Sequence, residues 1–145
     1  MESPVYSVAI PVAAGGLVNY VIYGNGTLND SMKTNNPMLP PGYIIGIVWM
    51  ALLAALGYAH YLMYTMDMQP NMGSISIVVL IVYCLMYPVI RYYESVGEKE
   101  LNIFSLCITA VASAVTFMVN QTAFFAVVPT LVWVSYVVLS DIIYP

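Results

Sequence analysis

Trp49 and Trp133 are the only two tryptophans of the chain, and each lies inside a long apolar run. Trp49 falls eight residues beyond Pro41, about 12 Å along a helix rising 1.5 Å per residue. Trp133 is twelve residues from the C-terminus, or about 18 Å. Tyr87 stands seven residues before Glu94, about 10 Å along its own helix. Tryptophans that merely anchor a membrane protein sit at the ends of its spans, and these lie deeper. Aromatic groups from three segments at similar depth could line a flat, apolar pocket. Ordinary ring packing between helices is the competing account.

Other reactive side chains are few. His60 lies eleven residues after Trp49, about three helical turns on and so on the same face. A proton relay or a haem ligand is one use for it; an interfacial, hydrogen-bonded histidine is the plainer one. Arg91 and Asp141 lie near span ends, where a lone charge needs a partner or water. Cys84 and Cys107 fall in apolar runs and read as small hydrophobes. No metal-ligand spacing, nucleophile–base pair or phosphate-binding glycine loop is visible. No metal-binding and no catalytic residue is therefore expected.

The elements that hold these residues are set by composition. Of 145 residues 61% are hydrophobic and 7% charged, against about 25% charged in soluble domains. The net charge of −4, with no basic cluster, argues against nucleic acid and against docking on anionic lipid. Five apolar runs, at about 5–23, 41–64, 74–93, 101–119 and 123–144, each approach the ~20 residues that cross a bilayer as a helix. The reading is an all-α membrane protein, one domain over 1–145, built as a bundle of five transmembrane helices. The N-terminus lacks the basic segment of a signal peptide, so the first run is expected to be retained. Lys33, Arg91 and Lys99 all fall on the side of the C-terminus, which the positive-inside rule makes cytoplasmic. The sequons at Asn25 and Asn29 then lie inside, and that at Asn120 lies outside close to the membrane.

Pro11, Pro88 and Pro129 interrupt spans and predict kinks, either as packing shape or as walls bowed around a cavity. Gly42/Gly46, Ala110/Ala114 and Gly15–Gly16 offer narrow points for helix contact, within the chain or in a homodimer.

The sequence Pro40-Pro41-x-Tyr43-x-x-Gly46-x-Val48-Trp49, continuing to Leu56-Gly57-Tyr58, resembles the start of the second helix in the translocator protein family, the peripheral benzodiazepine receptors or tryptophan-rich sensory proteins. That family's pattern is Pro-Pro-x-Trp-x-x-Gly-Pro-Val-Trp. Val128-Pro129-Thr130-Leu131-Val132-Trp133-Val134-Ser135-Tyr136 is similar to its fifth-helix Leu-x-Pro-Tyr-Leu-x-Trp-x-x-Phe. Tyr87-Pro88 with Tyr92 and Tyr93 resembles a third-helix aromatic run. Asp141 stands where the family usually has Asn. The resemblance covers about residues 10–145. Three departures stand out: the first loop, 29–39, carries no Trp; Cys84 takes the place of a third-helix Asn; and no Lys or Arg follows Tyr136.

The resemblance implies a membrane receptor or carrier for flat hydrophobic ligands, porphyrins (haem included) and other tetrapyrroles first, sterols second, with no resident cofactor. It assigns Trp49, Trp133, Tyr87, Gly46 and Tyr136 to the ligand site. It implies a multi-pass protein of the mitochondrial outer membrane or another intracellular membrane in a eukaryote, or of the cell envelope in a bacterium. A light-driven porphyrin-degrading enzyme using Trp49 and Trp133, and an adaptor acting through helix contacts, remain the alternatives. The missing cation after Tyr136 predicts weak sterol binding.

Overall fold

The computed structural model describes residues 4–23, 37–40, 42–67, 71–93 and 97–144. Five helices occupy them: α1 (Pro4–Tyr23), α2 (Gly42–Asp67), α3 (Met72–Tyr93), α4 (Glu98–Val119) and α5 (Gln121–Ile143). All five are long and apolar enough to cross a membrane, and no strand occurs among the described residues. The bundle reading holds, with helices that run a few residues past several predicted span ends. Lys33, Asn25 and Asn29 lie outside the described residues.

The helices form a ring in the order α1–α2–α5–α4–α3, closed by an α1–α3 contact, with α2 also touching α3. Short connections impose much of this. A single residue, Asn120, separates α4 from α5, which makes them an antiparallel pair. The Asn120 side chain caps α5 by accepting from the Thr122 and Ala123 amides. That sequon asparagine therefore works as a helix cap. Asn71 fastens the α2–α3 turn. It exchanges hydrogen bonds with Ser74 and donates through Nδ2 to the Met63 carbonyl at 3.0 Å.

The α1–α2 contact has a proline origin. Pro11 lies within α1 and offers no N–H to the Ser7 carbonyl one turn back. That freed carbonyl is turned against Gly57, where any Cβ would collide with it. Gly57 thus lets two backbones meet, a contact in which Cα–H groups can face carbonyl oxygens. Further along, Gly15 faces Leu53 and Met50. The close approach stops there, because a Cβ added at Gly46 meets nothing within 4 Å.

The interior is divided along its length. Leu53, Leu56, Ala59 and Met63 of α2 pack with Ile77, Leu80 and Ile81 of α3, Ala112 of α4, and Ala123 and Val127 of α5. This apolar core fills the half nearest the α2 C-terminus. Towards the α2 N-terminus the interior turns aromatic and polar. Outward faces carry large apolar side chains such as Ile10, Leu17, Val79, Phe104, Phe125 and Val132, the surface that hydrocarbon solvates. Ala110 and Ala114 are exposed among them. Of the two uses read for that pair, packing within the chain is overturned: α4 turns Asn102, Ser105, Thr109, Ala112, Ser113 and Thr116 inward instead. Four of those are hydroxyls bonded to the carbonyl four residues back, at 2.6–2.7 Å. Small side chains that satisfy themselves locally allow close helix packing without an orphaned polar group.

Candidate functional site

Trp49 and Tyr87 come together. Their rings, on α2 and α3, lie 6.3 Å apart between centroids and 30° from parallel. The sequence placed both at similar depth; the structure makes them neighbours.

Tyr87 is not free to turn away. Its hydroxyl donates to Asn102 Oδ1 at 2.6 Å, and Asn102 Nδ2 donates to Asp141 Oδ2 at 2.7 Å. The carboxylate accepts only, so Asn102 must present its NH2 to Asp141 and its oxygen to Tyr87. The charge at the far end polarises the whole chain of bonds. One turn of α3 away, the Tyr83 hydroxyl donates to the Leu101 carbonyl at 2.9 Å, with Ser105 Oγ 2.9 Å from the phenol oxygen. Two tyrosines on α3 are thereby tied to α4, and α4 is tied to α5.

Arg91 and Asp141 were expected to need partners. Arg91 meets Glu98 at 3.5 Å, and Asp141 takes the Asn102 amide. The Arg91–Glu98 pair is partly exposed, at 16% and 36%, so it adds little to stability.

Trp133 sits in a second ring pair, 5.9 Å from Tyr136 and tilted by 37°. Tyr136 in turn donates its hydroxyl to the Met38 carbonyl, in the segment before α2. The two indoles are thus held in separate ring pairs, and Trp133 does not join the Trp49–Tyr87 stack. The indole Nε1 of Trp133 is buried with no hydrogen-bond partner, as is the hydroxyl of Thr130 one turn earlier. Gly46 precedes Trp49 by three residues and leaves open space beside α2. His60 stacks on Tyr64 at 6.1 Å, in the half of the molecule occupied by the apolar core. Cys84 packs beside that core and Cys107 faces outward, both as free thiols.

Asn102, Tyr83, Ser105 and Glu98 were not singled out from sequence. A signal existed: Asn102, Ser105, Thr109, Ser113 and Thr116 recur at spacings of three and four, a helical polar stripe in an apolar span. Together these groups form an aromatic surface backed by a fixed hydrogen-bond chain. Such a surface can hold a flat apolar body by stacking, with polar groups at its margin. Nothing in it resembles a nucleophile with its base, and no group of three His, Cys, Asp or Glu that could hold a metal occurs among the described residues.

Comparison with curated proteins and with solved structures returned no match. A profile of the TspO/MBR family matches residues 7–142, nearly the whole chain. The match spans all five helices and both tryptophan motifs. The chain is an integral membrane protein that belongs to the TspO/MBR family.

Proposed function

We propose that this protein is a membrane receptor or carrier for flat hydrophobic molecules, tetrapyrroles of the porphyrin type above all. The observation that carries the reading is the Trp49–Tyr87 stack anchored through Asn102 to Asp141. A buried phenol needs a partner in any case; here the partner belongs to a chain that runs on to a third helix and fixes the ring's position. Fixing the tyrosine before binding removes part of the ordering cost a ligand would otherwise meet. Trp133 and Tyr136 supply a second aromatic pair on α5, and a Cβ at Gly46 would meet none of the described residues within 4 Å. Membership of the TspO/MBR family agrees with a five-helix ligand-binding protein.

The test is titration of the detergent-purified protein with protoporphyrin IX in the dark, followed by tryptophan fluorescence. Saturable, reversible quenching supports the proposal. Absence of quenching with the fold intact overturns it. A covalent product under illumination would move the assignment to an enzyme.

A further inference from the structure

Three buried side-chain groups among the described residues lack a hydrogen-bond partner: the hydroxyls of Ser7 and Thr130 and the indole N–H of Trp133. Ser7 lies in the tight α1–α2 contact at Gly57, on a different helix from the other two. The other two are on α5, three residues apart and therefore adjacent along one flank of the helix. Thr130 is completely buried. Its unpaired state is not forced on it by the helix. Ser105, Thr109, Ser113 and Thr116 all bond back to a carbonyl in the preceding turn, and Thr130 does not. An orphaned donor in the interior of a membrane protein is costly, and two side by side more so.

We propose that Thr130, with Trp133 beside it, is a hydrogen-bonding subsite that selects ligands bearing a neutral carbonyl oxygen on their flat apolar body. The inference rests on the tetrapyrrole-type site proposed above and specifies its chemistry. Two donors one turn apart suit an acceptor with two lone pairs, and a carbonyl oxygen supplies them. The acceptor is neutral because of its depth. Thr130 lies nine residues from Gln121, about 13 Å from that end of α5, where an ionised carboxylate would be strongly disfavoured. Thr130 is also the position where the motif resembled in α5 carries Tyr, so the subsite is a feature of this chain.

The test compares two neutral porphyrins. Protoporphyrin IX dimethyl ester carries ester carbonyls, and etioporphyrin carries alkyl groups alone. Full-length protein in detergent is titrated with each, as wild type, Thr130→Val, Thr130→Ser and Trp133→Phe. The expected result is wild-type preference for the ester by about five-fold or more, the worth of one good neutral hydrogen bond. Thr130→Val loses that preference while its etioporphyrin affinity and melting temperature hold or rise. Thr130→Ser keeps it, and Trp133→Phe reduces it. Equal wild-type affinity for the two porphyrins overturns this inference alone. So does a Thr130→Val protein that weakens both ligands alike, melts earlier or fails to fold, because the hydroxyl is then structural. If wild type binds neither porphyrin, the tetrapyrrole reading itself falls, and this subsite with it.

Discussion

Asn102 hands its side-chain amide to Asp141 across the α4–α5 contact at 2.7 Å, while its oxygen receives the Tyr87 hydroxyl from α3. Three helices are therefore joined through one buried amide. Replacing Asn102 by Leu strands a phenol and a carboxylate together. The expected cost is about 1–3 kcal/mol, towards the low end if interhelical bonds in membranes behave as usually measured. Asp141→Asn should cost less, about 1 kcal/mol, because an amide oxygen still accepts from Asn102. Thermal melting in detergent gives both values. Equal melting of Asn102→Leu and wild type would show that the chain of bonds carries no stability.

The Trp49–Tyr87 contact separates binding from folding. Trp49→Ala and Trp133→Ala should each weaken protoporphyrin binding by at least about 1 kcal/mol, or roughly five-fold, on loss of aromatic contact. Tyr87→Phe keeps the ring but frees it from Asn102, so it should weaken binding less than Trp49→Ala. Fluorescence titration of each variant checks the order. Affinity unchanged in both tryptophan variants would remove the site from these helices.

Much of this was open to a reader of the sequence, and the rest was hidden for physical reasons. Hydrocarbon demands some twenty apolar residues per helix, so the spans announce themselves whatever their packing. Depth along a helix follows from residue count, which is why Trp49 and Tyr87 could be set at one level. Which face points inward depends on neighbours, and hydropathy is blind to it in a span that is apolar all round. Ala110 and Ala114 show the result: small residues at contact spacing that turn outward. Asn102 was legible only as one member of the polar stripe of α4; that its amide would bridge Tyr87 and Asp141 depends on how three helices meet, which spacing along one helix does not carry.

The glycines of α2 give a contrast within one helix. Gly57→Ala places a methyl against the Ser7 carbonyl, backbone that has no rotamer with which to yield. The expected loss is about 1–3 kcal/mol, as for overpacked cores. Gly46→Ala meets nothing within 4 Å and should be neutral, or stabilising by up to about 1 kcal/mol through helix propensity. A larger change, Gly46→Leu, fills the open space and should weaken porphyrin binding while the protein still folds. Melting curves and titrations on the three variants decide it. A destabilised Gly46→Ala would mean that the open face is packed after all.

Sterol binding should be weak. A tyrosine that greets a sterol hydroxyl at the interface works best with a cation close by, and no Lys or Arg follows Tyr136 in the chain. The structure adds a second reason. The Tyr136 hydroxyl already donates to the Met38 carbonyl, so a sterol could meet only its oxygen lone pairs unless that bond broke. Breaking it would forfeit about 1 kcal/mol and loosen the segment that leads into α2. A photoreactive cholesterol probe should therefore label the protein no more than it labels an unrelated five-span control. Tyr136→Phe should leave that low labelling unchanged and lower the melting temperature slightly. Labelling near Tyr136 that excess cholesterol competes away would show that the hydroxyl exchanges its Met38 partner for a sterol.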